Sequence, residues 1–163
     1  MFNVTPKTFY QFDCYRNGLL VWSDGFPNMV MSVGKSALLD STFFEGRAEF
    51  TWFVGLVDSA GFSAFSAADT MSSHAGWVEN DDYSALSRAA YVPTAAAAGV
   101  MTNSTAKASF SMNAVVTIQG AFLVDDGAKM DTVGILYGAG SFNAPRNVLS
   151  GDVLSVTVRL TVS

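Results

Sequence analysis

The stretch "GDVLSVTVRLTVS", residues 151–163, decides the fold class. Leu154, Val156, Val158, Leu160 and Val162 alternate with Ser155, Thr157, Arg159 and Thr161. A helix would scatter these apolar residues around its circumference. A strand gathers them on one face, so the stretch reads as a half-buried β-strand. The "SGD" ahead of it supplies turn chemistry.

The same reading extends backwards. "TVGILYGAGSF" (132–142) is one strand, or two broken at Gly138–Gly140. "VVTIQGAFLV" (115–124) is β-branched and aromatic, and Gly120 marks a bulge or a close approach of two backbones. "AKASFSMNA" (106–114) alternates Ala106, Ala108, Phe110 and Met112 with Lys107, Ser109 and Ser111. "FTWFVGLV" (50–57) is nearly continuous in apolar residues, which predicts burial on both faces. "DDGAKMD" (125–131) and "FNAPRNVLSGD" (142–152) read as turns. One early α-helix is expected in "PNMVMSVGKSALLDSTFF" (27–44), capped by Asn28, with Val30, Val33, Ala37 and Leu38 at helical spacing. Gly34 weakens its middle by about 1 kcal/mol relative to alanine. The expected fold is mainly β: an antiparallel β-sandwich of about seven or eight strands, for which immunoglobulin and jelly-roll arrangements both fit. The aromatic-rich residues 1–20 read as an N-terminal arm or an edge strand, and residues 21–163 as a single sandwich domain.

Composition narrows the function. Only 14% of the 163 residues are charged, while half are apolar. Average soluble chains carry roughly a quarter charged residues. Such a chain either has a small polar surface or covers part of its surface with partners. The formal charge is −5 and the lysines and arginines are isolated, so neither nucleic acid nor an anionic membrane is an expected partner. The lone Cys14 leaves no internal disulfide and no cysteine-rich zinc site. The N-terminus lacks the basic start and apolar core of a signal peptide, and no apolar run reaches the length of a membrane span.

Motifs with chemical associations weaken on inspection. "VGKS" (33–36) would need a glycine at Met29 to wrap phosphates. "GFSAF" (61–65) has Phe65 where a nucleophile elbow needs a glycine. The Asp pairs at 81–82 and 125–126 fall in expected turns. "ADTMSSHAGWVEN" (68–80) holds the only histidine, with Asp69 and two serines nearby. A hydrolase built on His74 is one reading of it. A capped turn explains more of the residues. Asp69 would cap a short helix over 69–75, His74 would lie in its last turn, Gly76 would end it left-handed, and Trp77 would anchor the exit. Asp69, His74, Gly76 and Trp77 are therefore expected to form a structural motif. No catalytic residue, cofactor or metal is expected.

The sequence also resembles a family of small virion proteins of tailed bacteriophages. The resemblance rests on "DTM-x-SHAGW-x-E", matched by Asp69 to Glu79. It extends to Gly25, Asn28, Val30, Gly34, Lys35, Leu38, Leu39, Asp40, Phe43 or Phe44, and Gly46, and to the "WFVGL" of residues 52–56. Further matches are Ser84 or Ser87 with Arg88, "TIQGAFL" (117–123), and Gly151, Asp152, Leu154 and Val156. The chain departs from the pattern at "KMDTVG" (129–134), where Met130 and Asp131 replace smaller residues. The resemblance implies a structural protein similar to capsid cement (decoration) proteins with jelly-roll folds. Such a protein is made in the bacterial host cytoplasm and sits on the outer capsid surface of the virion. It binds between subunits of the phage major capsid protein and self-associates as a dimer or trimer. The alternative is a tail or head accessory protein with a lectin-like sandwich. Aromatic residues of the N-terminal segment (Phe2, Phe9, Tyr10, Phe12 and Tyr15) are the expected contact surface.

Overall fold

Period-two alternation dominates the chain and produces eleven strands and one helix in the computed structural model, which describes residues 5–44 and 49–162. In chain order these are β1 (Pro6–Arg16), β2 (Leu19–Pro27), β3 (Met29–Val30), α1 (Ser32–Phe43), β4 (Phe53–Asp58) and β5 (Glu79–Asn80). They continue with β6 (Ala89–Ala90), β7 (Val100–Thr102), β8 (Ala108–Ser111), β9 (Val116–Val124), β10 (Leu136–Val148) and β11 (Val153–Val162). One sheet runs β2-β1-β11, with β7 and β8 both on the far edge of β11. The other runs β3-β10-β9-β4, with β5 and β6 both on the far edge of β4. The pairings are antiparallel, so the expected sandwich forms.

The alternation of residues 153–162 holds through Val158, beyond which Leu160 is half-buried and Val162 exposed. Leu154, Val156 and Val158 are buried and Arg159 is exposed. They meet Tyr10, Phe12 and Cys14 of β1 on the same sheet, with Tyr10 opposite Val158 and Phe12 opposite Val156. Val54, Leu56, Ile118, Ala121, Leu123 and Phe142 close the core from the second sheet. Phe142 lies edge-on to Phe12 and Phe26, at centroid distances of 5.1 and 4.7 Å. Each such side chain removed from water contributes about 1.5–3 kcal/mol.

Residues 6–16 are neither an arm nor an edge strand. β1 is hydrogen-bonded on both sides, to β2 and to β11. Its alternation turns one face to the core: Thr8, Tyr10, Phe12 and Cys14 are all buried, while Phe9 is exposed. The β1–β2 hairpin turns on Asn17-Gly18, with φ of 51° and 77°. These values suit the two-residue turn that an Asn-Gly pair favours.

A third layer covers the outer face of the second sheet. Val57, Phe122, Val124, Leu136 and Ala139 emerge there beneath Met31, Met71 and Trp77, with Phe62 and Phe65 packed alongside. β4 is therefore buried on both faces, as its unbroken apolar run predicts. Gly55 sits where any Cβ would collide with the Phe122 ring.

Two local expectations change. α1 begins at Ser32 rather than after Asn28, and Met31 gives its N-cap no side-chain bond. Pairing with β10 takes Met29 and Val30 into the sheet before a helix can start. Gly34, unfavourable within a helix, lies against the Tyr137 backbone, where a side chain would clash. Second, residues 142–148 continue β10 instead of forming a turn. The register jumps from Ser141↔Gly120 to Arg146↔Ile118, and Pro145, which has no N–H for the ladder, falls in the extra residues. The expectation at Gly120 holds: it is a close approach of two backbones, because a Cβ there would overlap Gly140 O.

Candidate functional site

Residues 59–80 form the part of the covering layer that carries the lone histidine. Thr70 and Ser73 exchange backbone hydrogen bonds of 3.0 and 3.1 Å around Met71-Ser72. A second turn follows, with Trp77 N donating to His74 O. No helix forms at 69–75, and Asp69 caps nothing. Its Oδ2 accepts instead from the buried Trp77 Nε1 at 3.0 Å and from Ser66 N at 2.9 Å. Burying an indole N–H requires an acceptor, and Asp69 supplies it more rewardingly here than at a solvent-exposed helix end. Gly76 has no left-handed φ. It is small because the chain passes directly under Ala64 O.

His74 stacks on Trp77, with centroids 4.0 Å apart and planes at 25°. Its Nδ1 lies 3.1 Å from Trp77 O. A carbonyl only accepts, so this bond requires the proton on Nδ1. The small cleft beside it, about 160 Å³, is bounded by Met71, His74, Trp77, Glu79, Met130 and Thr132.

Glu79 belongs to a second constellation below the first. Arg88, 2% exposed, makes five hydrogen bonds, which equals its number of N–H donors. Nε and Nη2 hold Glu79 in a bidentate pair at 2.9 and 2.7 Å. Nη1 bonds the backbone and carboxylate of Asp126, and Nη2 also bonds Asp131 O. Glu79 Oε2 accepts from Met130 N, and the guanidinium lies 5.3 Å from the Phe122 ring centre. Next to it, Lys129 Nζ donates to the carbonyls of Asp81, Tyr83 and Ala85, each at 2.9 Å. The ammonium also sits 4.0 Å over the Tyr83 ring. These two cations tie the 79–88 segment to the 125–134 turn. Met130 adopts φ +58° there, so its larger side chain is carried in a left-handed backbone.

No family model, curated protein or solved structure matches this chain.

The 69–79 segment is thus brought together in space with Arg88, Phe122 and the 129–134 turn. Asp69, His74, Trp77, Glu79, Arg88, Phe122 and the 129–134 turn make one continuous wall. Chemically they are committed to one another. Asp69 is bonded to an indole rather than to His74, and Glu79 to a guanidinium. Among the described residues no group of three or more His, Cys, Asp or Glu side chains could hold a metal. Cys14 is buried, with its Sγ 3.7 Å from Asp152, and burial first and the Asp152 charge second push its thiol up to about 11. It is a protonated core residue, not a thiolate nucleophile.

The expected contact surface does not hold together. Phe2 lies outside the described residues. Tyr10 and Phe12 are 0% exposed and form the centre of the core. Tyr15 is half-buried. Only Phe9 is outward and exposed, with its ring lying across Gly25. Exposed apolar side chains occur elsewhere, some singly, as at Leu86 and Val115, and some in two runs. Leu19, Leu20 and Val21 follow the hairpin turn on the edge strand β2, and Leu38, Leu39, Phe43 and Phe44 project from and just beyond α1. Both sets are visible as apolar runs, "GLLVW" and "ALLDSTFF". Neither run has the alternation or spacing needed to bury all its members.

Proposed function

We propose that this chain is a structural protein of a tailed-phage virion, a cement protein that binds between major capsid subunits on the outer shell. The observation that carries the reading is the apolar surface of β2 and α1. Phe43 is 81% and Leu19 74% exposed on a chain with 14% charged residues. Exposed apolar groups of this kind mark surfaces that a partner covers. The motif residues support the same reading, because each is engaged in holding the wall of the sandwich. That wall gives a rigid body on which contacts can be repeated in every copy. A dimer or trimer of this chain would use one of the two apolar strips and leave the other for the shell.

Quantitative mass spectrometry of purified particles tests this. A cement protein is present in hundreds of copies, scaling with the major capsid protein. A few tens of copies would instead fit the tail or head accessory reading, in which glycan binding by the isolated protein is the next measurement.

A further inference from the structure

β2 is the one long edge strand among the described residues, and β1 is its single strand neighbour there. The other edge strands are blunted by their length. β3, β5 and β6 have two residues each, β7 three and β8 four, whereas β2 has nine. A short edge offers little to another chain, but a long one presents a row of unpaired backbone groups. The pairing with β1 identifies these groups. Arg16 and Leu19 flank the two-residue turn and exchange hydrogen bonds, so Leu20, opposite Tyr15, turns its N–H and C=O away from β1. Past the bulge at Val21, Ser23, opposite Asp13, does the same. The side chains of Leu19, Leu20 and Val21 are 74, 56 and 45% exposed beside them. Against pairing, β2 has only that bulge and its terminal Pro27, and it carries no lysine. From Asp24 onward the edge is engaged within the chain, because Asp24 accepts from Gly25 N and from Arg146 of β10. The free stretch is therefore Leu19–Ser23.

Place and charge select what covers it. The chain ends are remote: Pro6 pairs with Val162 at the far end of β1, about 30 Å along the strand from Arg16. Glu49 also lies at that far end, beside Leu160. Residues 17–23 carry no charge, and the charged groups on either side are paired within the chain, Arg16 with Asp152 and Asp24 with Arg146. On a chain of formal charge −5, this is a stretch where two copies meet without like-charge repulsion. The stretch is also its own complement. A two-fold axis between Val21 and Trp22 sets Leu20 of one copy opposite Ser23 of the other, and the outward backbone groups of each pair with those of its opposite.

We propose that this chain forms a two-fold dimer by antiparallel pairing of β2 with β2 of a second copy over Leu19–Ser23, which joins two sheets into one. The seam closes on itself, so the assembly is a dimer and not a trimer. Five residues give a seam about 17 Å long, at the low end of specific interfaces, so the dimer dissociates at micromolar concentrations. The proposal deepens the self-association in the virion reading above but needs no capsid. A solution dimer that ignores shells upholds it, and shell attachment by a strict monomer overturns it alone.

The test is sedimentation velocity of the full-length protein from about 5 to 500 μM, with hydrogen exchange followed by mass spectrometry at both ends of that range. A reversible monomer–dimer equilibrium is expected, with exchange of residues 19–23 at least about threefold slower at the dimer concentration. Leu20→Lys places a charge on the exposed edge and should weaken the dimer at least about tenfold while melting as wild type. Leu39→Asp, on α1, should leave the dimer unchanged. A wild type that stays monomeric at the highest concentration overturns the proposal, as does a trimer. So does a dimer in which residues 19–23 exchange as in the monomer, a folded Leu20→Lys that dimerises as wild type, or a Leu39→Asp that weakens the dimer as much as Leu20→Lys.

Discussion

Replacing Arg88 by methionine removes the guanidinium from the centre of the covering wall and keeps most of its volume. Glu79, 6% exposed, then loses both of its charged hydrogen bonds and keeps only the Met130 amide. The carbonyls of Asp126 and Asp131 lose their donor as well. Breaking a buried pair by removing one partner costs about 3–5 kcal/mol. With a urea dependence of about 2–3 kcal/mol per molar for a domain of this size, the unfolding midpoint should fall by roughly 1–2.5 M. Removing both charges in Glu79→Met/Arg88→Met should restore part of the loss. The double variant stays about 1–3 kcal/mol below wild type, because the backbone groups once bonded to the pair remain without partners. Lys107→Met provides the comparison: its pair with Asp13 at 3.0 Å is partly solvated, far more open than the Arg88–Glu79 pair, and should contribute about 1 kcal/mol. The assay is equilibrium urea unfolding followed by tryptophan fluorescence. An Arg88→Met midpoint within about 0.3 M of wild type would refute the reasoning, as would a double variant no more stable than the single.

Other consequences follow from the same geometry. Asp69→Ala strands the Trp77 indole N–H and the Ser66 amide, and should cost about 1–3 kcal/mol in urea unfolding, while Asp69→Asn keeps an acceptor and should cost less. The hydrogen bond from Arg16 first, against the opposing effect of burial, holds the Asp152 carboxyl below its ordinary value. Its contribution is complete above the unfolded value of about 3.9 and is lost as pH falls through the lower folded value, so the stability gap between wild type and Asp152→Asn should narrow below about pH 4. Phe43→Asp and Leu39→Asp alter exposed side chains and should leave the melting temperature nearly unchanged while weakening attachment to shells in a sedimentation assay. Tyr10→Ala and Phe12→Ala should do the reverse, lowering stability by about 3–5 kcal/mol as core deletions do.

The fold class was legible because strands with one buried face write their period into the sequence. β11 shows this most clearly, since Leu154, Val156 and Val158 are buried in alternation. What the pattern does not encode is which strands become neighbours. Residues 6–16 alternate as regularly as an edge strand would, and only their pairing with residues 153–162 places them centrally. The same limit applies to the wall around Trp77. Asp69, Ser72 and Ser73 have the local chemistry of a helix start, yet the indole eight residues on competes for the Asp69 carboxylate and wins. The Arg88 cluster joins segments about 40 residues apart, a separation at which spacing carries no information. Gly34 and Gly76 were read for their backbone freedom, but both are small because another backbone touches them.

A reconstruction at side-chain resolution of tailed-phage particles incubated with this protein tests the proposed role most directly. The account predicts the sandwich on the outside of the shell, repeated at local symmetry axes, with the Leu19–Val21 or Leu39–Phe44 surface against the major capsid protein. Density for the chain only at a single vertex, or none on the shell, would contradict it.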